Sequence, residues 1–383
     1  MKRVPGIEMV GSIGFVALIS SVALIQAGAE LPRGERPQVL ELFTRAPTVA
    51  NLRAYETDLE EASVVNQTLR SWIQYAQFVV LGDAGEKALV GRDGWVFYKP
   101  ALQYLTERPP LKTSDAGRAQ PLEAILAFRD QLAAQGIHLL AVPVPNKESV
   151  YPEMLTRRAD QQEVIVCRQT RQLLEELRAS GVEVVDLFET FRRAKQQRGS
   201  DDSDALYLVQ DTHWSPAGLA VAARAVAEHI SERAWIRPGA LQYQQKPVRL
   251  ERIGDLLEMA RVPQIERHMG PERILCMQVI RRDTGTPYQD APDAEILILG
   301  DSFLRVFQRD EPQAAGFIAQ LAHQLGQPLT SIVNDGGAST LVRQELYRRG
   351  ELLANKKLVI WEFVERDLRF GTEGWQIVPL PPQ

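Results

Sequence analysis

The stretch Glu295-Ile296-Leu297-Ile298-Leu299-Gly300-Asp301-Ser302 decides the fold class of this chain. A short apolar run of this kind is typical of a strand that is buried on both faces, and the glycine after it allows a tight turn. From residue 120 onward, similar runs alternate with helical patterns, which is typical of a parallel sheet with helices on both faces. The sequence therefore predicts a doubly wound α/β domain.

The other predicted elements place the sheet along the chain. The further strand candidates are His138 to Val144, Val182 to Leu187, Leu206 to Val209, Leu329 to Val333 and Lys357 to Phe363. The helix candidates are Leu122 to Ala134, Glu163 to Ala179, Pro216 to Arg233, Ala314 to Leu325 and Thr340 to Arg349. In doubly wound sheets the reactive groups gather outside the carboxyl ends of the strands, so residues that follow strand candidates are candidate site residues.

Ser302 and His213 are the main candidates for chemistry. A serine hydroxyl is a poor nucleophile until a base removes its proton. Among the five histidines, His213 stands out because Asp211 lies two residues before it in Asp211-Thr212-His213-Trp214, directly after the strand candidate Leu206 to Val209. Residues two apart in an extended chain project from the same face. We therefore predict that Asp211 orients His213 and that His213 activates Ser302.

A purely structural interpretation of these motifs is weaker. Gly-Asp-Ser on its own consists of common residues, and an Asp with a His after a strand could simply cap the helix that begins at Pro216. Ser215 already supplies that cap, so Asp211 and His213 are not needed to cap the helix. The remaining histidines lack a metal-ligand spacing, so we predict neither a metal nor a cofactor.

Two loops after strand candidates suit substrate binding. One is Val142-Pro143-Val144-Pro145-Asn146-Lys147, with Tyr151 close behind it, and the other is Asn334-Asp335-Gly336-Gly337. Glycines let backbone amides approach a developing oxyanion, so Lys147, Tyr151, Asn334 and Gly337 are candidates for substrate or oxyanion binding. A proline-stiffened loop and an ordinary glycine turn are the structural alternatives.

The aromatic segment Gly91-Arg92-Asp93-Gly94-Trp95-Val96-Phe97-Tyr98 allows more than one interpretation. It could form a β-hairpin, and its rings could either stack on sugars or pack in the core. Aromatic rings bury a large apolar area, so core packing is the favoured role.

Composition excludes several classes of function. The formal net charge of −5 and the lack of a long basic run argue against nucleic-acid binding. The two cysteines, Cys167 and Cys276, have no zinc-ligand spacing and could either pair or remain buried thiols.

The N-terminus predicts membrane targeting. Lys2 and Arg3 precede a stretch from Met9 to Ala29 without charged residues, which is long enough to cross a bilayer as a helix. A retained anchor and a signal peptide cleaved near Ala29 both fit, and the anchor is favoured. We predict an anchor or signal in residues 1–30, a linker with amphipathic helices in 31–80, and a catalytic domain in 81–383, outside the inner membrane.

Taken together, the motifs of the chain resemble the SGNH-hydrolase-like alginate O-acetyltransferase family of the AlgJ and AlgX type. The resemblance rests on motifs at residues 90–98, 142–147, 151–152, 211–214, 300–303 and 359–363. In that family the Asp-x-His-Trp motif precedes the nucleophile motif, and this chain has the same order. The resemblance implies that Asp211, His213 and Ser302 are the catalytic residues. Thr212 stands where many relatives carry histidine.

The resemblance implies a function and partners. Members of the family acetylate exopolysaccharides in the periplasm and receive acetyl groups from a membrane-bound O-acyltransferase. The short segment after Val359-Ile360-Trp361-Glu362-Phe363 suggests the AlgJ pattern, without the carbohydrate-binding module of AlgX. The expected activity is thus acetyl transfer to a polysaccharide acceptor through an acetyl-serine intermediate. The alternatives are a periplasmic carbohydrate acetylesterase and a non-catalytic polysaccharide-binding or assembly subunit.

Overall fold

A computed structural model provides the structure of the chain. It describes residues 20–21, 24–34, 36–40, 44, 46, 48–107, 120–160, 164–198, 205–370 and 374–380. The chain divides into two compact units, one of residues 1–81 with 262–264 and the other of residues 82–261 with 265–383.

The first unit contains two long helices, α1 (Val49–Ala62) and α2 (Val64–Leu81). Most of the stretch from Met9 to Ala29, which the sequence predicts to be a membrane-targeting helix, lies outside the described residues. Among the helices that are described, none combines the length and the apolar character needed to cross a bilayer.

The second unit contains nine described strands, five of which form one parallel sheet. In chain order the strands are β1 (Ala88–Val90), β2 (Val96–Tyr98), β3 (His138–Val144), β4 (Glu183–Val184), β5 (Tyr243–Arg252), β6 (Glu272–Arg281), β7 (Ile296–Gly300), β8 (Thr330–Val333) and β9 (Leu358–Val364). The main sheet has five parallel strands in the order β4, β3, β9, β7 and β8. The predicted α/β class with a parallel central sheet is confirmed.

Helices connect these strands. They are α3 (Lys99–Thr106), α4 (Pro121–Ala133), α5 (Lys147–Val150), α6 (Pro152–Leu155), α7 (Arg168–Ala179), α8 (Leu187–Arg198), α9 (Pro216–Arg233), α10 (Asp255–Ala260), α11 (Pro263–Met269), α12 (Ser302–Arg305), α13 (Phe317–Leu325), α14 (Leu341–Arg348) and α15 (Asp367–Phe370). Short 3₁₀ turns lie at Leu31–Arg33, Gln38–Leu40, Arg157–Ala159 and Gly350–Leu353. As the sequence predicts, α9 begins at Pro216, and the Ser215 hydroxyl caps it by accepting the Gly218 N–H at 3.1 Å.

Both faces of the main sheet are covered. Side chains of a strand point alternately to its two faces. Along β7, Ile296 and Ile298 pack in one apolar cluster with α8, α9 and α13, while Leu297 and Leu299 pack in a second cluster with α4, α7 and α14. All five residues of β7 are buried, which explains why the run is apolar without alternation.

In the part of the chain that the structure describes, two antiparallel strand pairs lie outside the main sheet. The first is the hairpin of β1 and β2, and Trp95 and Phe97 within it are buried in the core, as the favoured interpretation of the aromatic segment predicts. The second, an arm formed by β5 and β6, pairs ten residues of each strand and was not predicted. Its first strand is mostly exposed and lacks the apolar run that signals a buried strand.

The prediction of a strand at Leu206 to Val209 is wrong. Tyr207 makes an isolated antiparallel bridge with Trp214, and the chain turns between them. The carboxylate of Glu272 accepts the backbone N–H groups of Val209, at 3.0 Å, and of Gln210. These amides are thus satisfied by a side chain and do not pair with a neighbouring strand.

Several element boundaries also differ from the prediction. The helix predicted from Glu163 begins at Arg168, and Glu163 lies outside the described residues. The helix predicted from Ala314 begins at Phe317, since the backbone of Ala314 is left-handed with φ of 49°. Cys276 is buried and Cys167 is half-buried, and both are free thiols.

Candidate functional site

Ser302 lies at the carboxyl end of β7, as predicted. The strand ends at Gly300, Asp301 caps α12 by accepting the Phe303 N–H at 2.8 Å, and Ser302 is the first residue of that helix. A Cβ atom at Gly300 would lie 2.3 Å from Oε2 of Glu362 on the neighbouring β9 and 2.4 Å from Leu304 Cδ1, so a larger residue would displace these side chains. The side chains of Glu362 and Leu304 thus pack against the backbone where β7 ends, and Ser302 lies just beyond the sheet.

The structure brings Ser302, His213 and Asp211 together. His213 Nε2 lies 2.8 Å from Ser302 Oγ, and His213 Nδ1 lies 2.6 Å from Asp211 Oδ1. The same Asp211 oxygen accepts the backbone N–H of His213 at 3.1 Å. The two residues thus meet through a local turn and not through the extended strand that the sequence suggested. In this arrangement the imidazole can take the hydroxyl proton while the carboxylate fixes its tautomer.

Burial and charge set the protonation of this group. Burial opposes ionisation of Asp211, but the charge and hydrogen bonds of His213 and the charge of Arg252 outweigh it and hold the pKa of Asp211 well below its usual range. Burial alone would lower the pKa of His213, yet the adjacent Asp211 carboxylate raises it above the ordinary 6.5. The site therefore stabilises an imidazolium that forms when His213 accepts a proton.

Trp214 connects the two motifs. Its indole Nε1–H donates to the carbonyl oxygen of Phe303 at 3.1 Å, and its ring meets the Phe303 ring edge to face at 5.3 Å. The Phe303 ring also lies 4.8 Å from the imidazole of His213. Both Trp214 and Phe303 are fully buried. The aromatic residue that follows each motif thus fixes one motif against the other.

A cavity of about 390 Å³ opens beside the Ser302 hydroxyl. Its lining includes Tyr98, Asp301, Ser302, Gly337, Arg366 and Asp367. The guanidinium of Arg366 lies over the rings of Tyr98 and Phe303, at 5.3 and 5.7 Å from their centroids. The cavity lining therefore offers one guanidinium, several carboxyl groups and the aromatic ring of Tyr98, a mixture that suits a polar, hydroxyl-rich ligand.

Two of the predicted binding residues, Lys147 and Tyr151, are buried outside this cavity. The Lys147 ammonium donates to the carbonyl oxygens of Val96, Val209 and Asp211 at 2.6, 2.7 and 3.1 Å, and burial lowers its pKa to about 8. The Tyr151 hydroxyl accepts a backbone N–H at 2.8 Å. The prediction that these two side chains bind substrate is corrected: they support the loop that carries Asp211.

The other two predicted residues lie next to the nucleophile turn. Gly337 lines the cavity, but its N–H donates to the Asn334 carbonyl at 3.2 Å and is not directed at an oxyanion. Asn334 shapes the turn, since its Oδ1 accepts the Gly336 N–H at 2.9 Å and its own N–H donates to the Gly300 carbonyl at 3.1 Å. The expected oxyanion role of the Gly337 amide is thereby corrected.

The residues that surround Asp211 were not predicted from the sequence. Its Oδ2 accepts Arg252 Nε at 3.2 Å and the Asp255 N–H at 3.1 Å, while the Asp255 carboxylate accepts the N–H and the hydroxyl of Thr212 at 2.7 and 2.6 Å. Arg252 ends β5, the first strand of the unpredicted arm, and Asp255 begins α10 just after it, so the sequence carried no signal for them. Glu362 was visible in the Trp361-Glu362-Phe363 motif, but no role was inferred for it.

Asp211, His213 and Asp255 could in principle hold a metal ion, since their donor atoms lie within 4.8 Å of one another. The contacts favour hydrogen bonding instead. Both oxygens of Asp211 already accept N–H groups, and a cation there would displace the hydrogen bond from His213 Nδ1. The donor set fits a proton relay better than a metal centre.

With this geometry in view, comparisons with known proteins identify the family. A family model described as "SGNH hydrolase-like domain, acetyltransferase AlgX" matches residues 88–365. The chain belongs to this family. The resemblance inferred from the motifs is confirmed, and the match runs from β1 to just beyond β9.

Individual relatives are more distant. A protein named "Probable alginate O-acetylase AlgJ" from Pseudomonas fluorescens is 24% identical over 328 residues, which are 84% of this chain and 78% of that protein. Its namesake from Pseudomonas aeruginosa is 27% identical over 144 residues, 38% of this chain and 33% of that protein. The O-acetyltransferase domain of Pseudomonas putida AlgJ has a TM-score of 0.55 at 22% identity and covers 74% of this chain and 92% of that domain, a likeness of fold.

Proposed function

We propose that the chain is a periplasmic O-acetyltransferase that moves acetyl groups to hydroxyls of an exopolysaccharide through an acetyl-serine intermediate. The observation that carries this proposal is the position of His213, which bridges Ser302 Oγ and Asp211 Oδ1 at 2.8 and 2.6 Å. Membership of the acetyltransferase family supports the acetyl group as the transferred unit. The relatives named as alginate O-acetylases support a polysaccharide acceptor.

The first half-reaction loads the enzyme. Ser302 Oγ attacks the carbonyl carbon of the acetyl donor while His213 Nε2 accepts the hydroxyl proton. The N–H of Ser302, one of the amides that a helix start leaves without an internal partner, stabilises the oxyanion. The donor oxygen then leaves with the proton from His213, and the acetyl group remains on Ser302. Asp211 stays ionised throughout and stabilises the imidazolium.

The second half-reaction unloads the enzyme. A sugar hydroxyl in the cavity beside Ser302 gives its proton to His213 and attacks the acetyl carbon. The Ser302 oxygen leaves and recovers the proton, which restores the starting state. The donor partner is a membrane-bound O-acyltransferase, and the stretch from Met9 to Ala29 anchors the chain to the inner membrane beside it.

One experiment tests both halves. The protein is mixed with a chromogenic acetyl ester, with and without oligosaccharides, and intact mass is followed together with acetylated products. We expect an added acetyl group on wild type, its absence in Ser302→Ala, and acetylated oligosaccharide when an acceptor is present. Alginate oligosaccharides are the first acceptors to test, followed by neutral ones.

The alternatives give different results. An esterase would release acetate at a rate that acceptors leave unchanged, without any acetylated oligosaccharide. A non-catalytic binding or assembly subunit would bind the oligosaccharide, but Ser302 would remain unmodified under conditions that load a control esterase. Either result would overturn the proposed acetyl transfer.

A further inference from the structure

Arg252 contacts Asp211 from the side opposite His213. Arg252 is the last residue of β5, on the arm outside the main sheet, and its Nε lies 3.2 Å from Asp211 Oδ2. The Asp211 side chain is completely buried and the Arg252 side chain is 22% exposed. A buried carboxylate is costly to ionise without a nearby cation, and Arg252 supplies one.

The guanidinium of Arg252 is also linked by ion pairs to the helix that carries Ser302. Arg252 Nη1 lies 3.3 Å from Asp310 Oδ2, and Asp310 also pairs with Arg305. Arg305 is the last residue of α12, the helix that Ser302 begins, and its Nε lies 2.9 Å from Asp335 beside the cavity. Charges of alternating sign therefore connect the carboxylate behind His213 with the helix that carries Ser302.

This network differs from an ordinary surface ion pair. The side chains of Arg252, Asp310 and Arg305 are only 22%, 22% and 29% exposed, and each arginine contacts two carboxylates. Arginine presents its donors in a rigid planar fork, so such contacts fix geometry as well as charge. The network thus spans the two elements whose separation determines the distance from His213 to Ser302.

We propose that Arg252 is a positioning residue of the reaction, which holds Asp211 behind His213 and, through Asp310 and Arg305, sets His213 against Ser302. The inference rests on the proposed acetyl transfer, because it assigns Arg252 a role in that reaction. Arg252 acts through Asp211 and Asp310 and does not contact the acetyl group.

The proposal predicts a change in pH dependence. Arg252 neutralises part of the charge on Asp211, so removing it leaves a stronger negative field at His213 and favours the imidazolium. The reaction requires neutral His213, so its rate falls at low pH, where the imidazole is protonated. This fall, the acid limb of the pH–rate profile, then moves to higher pH. The other charged groups that face His213 and Asp211 stay in place in the variant; they are Asp255, Arg366, Asp301, Lys147 and Glu272.

The test compares Arg252→Met with Arg249→Met, which removes an exposed arginine from the same strand. With the acetyl ester as donor, we expect Arg252→Met to lower kcat by about 10- to 100-fold, the range that a displacement of about 1 Å can cause. We also expect its acid limb to move up in pH. Arg252→Lys should partly restore both kcat and the pH of the acid limb, and Arg249→Met should behave as wild type.

Other outcomes are equally informative. Wild-type kcat and an unchanged acid limb in a folded Arg252→Met protein would overturn the positioning role while leaving acetyl transfer intact. A wild type that neither loads acetyl nor transfers it would overturn the proposed function itself. If Arg252→Met does not fold, Asp310→Asn takes its place: it keeps Arg252 on Asp211, and an unchanged kcat in that variant would overturn the coupling to Ser302.

Discussion

His213 Nε2 lies 2.8 Å from Ser302 Oγ, across 89 positions of sequence. The contact depends on two independent structures, the turn that carries Asp211 and His213 and the end of β7. The Trp214 indole, which donates to the Phe303 carbonyl at 3.1 Å, fixes these two structures against each other. The nucleophile and its base are thus held within hydrogen-bonding distance by buried side chains, the arrangement that activates a serine hydroxyl.

The first prediction concerns the pH dependence of the wild type. Proton transfer requires neutral His213, and the adjacent Asp211 raises the pKa of His213 above 6.5 despite burial. Since a raised pKa keeps the imidazole protonated to higher pH, kcat/KM should fall with decreasing pH around a midpoint above 6.5. Initial rates with a neutral acetyl ester from pH 5 to 9 measure it. A midpoint well below 6.5 would contradict the role of Asp211.

The second prediction is the effect of Asp211→Asn. An amide keeps the size of the side chain but no longer stabilises the imidazolium, and it can select the wrong tautomer of His213. In a serine protease such a change costs about 10⁴-fold in kcat, and we expect a loss of about 10³- to 10⁴-fold here. The midpoint of the acid limb should also move down, since the charge that raises the pKa of His213 is gone. Normal kcat in the folded variant would exclude Asp211 as the orienting group.

The sequence predicted the sheet better than it predicted the surroundings of the site. β7 and β9 are buried on both faces, and β7 therefore appears as a continuous apolar run and β9 as a run interrupted only by Glu362. The pairing of Asp211 with His213 was also predictable because it is local. The turn that brings these two residues together could not be predicted, because it depends on Glu272. That residue is 62 and 63 positions away from the backbone amides whose N–H groups it accepts.

Arg252 could not be predicted from the sequence because its contact with Asp211 depends on the tertiary structure. Arg252 reaches Asp211 across 41 positions of sequence and is carried by β5, whose exposed, polar residues and Pro247 give no strand signal. Lys147, in contrast, was found but misassigned. A charged residue in a loop after a strand usually faces solvent, and only the tertiary structure reveals that three carbonyl oxygens surround this ammonium group.

The third prediction concerns this buried lysine. Lys147→Met fills similar space but leaves three carbonyl oxygens without their donor, including that of Asp211. We expect a loss of about 3 kcal/mol or more in the free energy of unfolding, measured by urea denaturation. Lys357→Met, which removes an ammonium with 52% exposure, should cost less than about 1 kcal/mol. Equal losses in the two variants would show that the Lys147 contacts contribute little.

The fourth prediction concerns the glycine of the nucleophile turn. In Gly300→Ala the new Cβ would lie 2.3 Å from Glu362 Oε2 and 2.4 Å from Leu304 Cδ1, so these two buried side chains must move. We expect a loss of about 2 to 3 kcal/mol in stability together with reduced kcat. Gly285→Ala is the control. Residue 285 has a left-handed φ of 69°, but no atom lies within 4 Å of the added Cβ, so we expect a loss of only about 1 kcal/mol in stability. A smaller effect at Gly300 than at Gly285 would contradict the packing argument.

The fifth prediction concerns the stability of the core around Glu365. Its carboxyl group is fully buried and accepts hydrogen bonds from the Ser149 hydroxyl, from the Thr170 hydroxyl at 2.9 Å and from the Asn146 N–H at 3.1 Å. Burial outweighs these donors and raises the pKa of Glu365 from 4.5 to about 7. The folded state therefore holds a proton that the unfolded chain releases at lower pH.

A group whose pKa is raised by folding stabilises the protein fully below its unfolded pKa, and this contribution is lost as pH rises through the folded value. For Glu365 the window runs from 4.5 to about 7, and the loss amounts to about 3 kcal/mol. Glu365→Gln cannot ionise, so its stability relative to wild type should improve by about that amount between pH 4.5 and 7.5. Urea denaturation at each pH measures the difference, with the exposed Glu351→Gln as the matched control. Parallel curves for wild type and Glu365→Gln would mean that Glu365 ionises equally easily in both states.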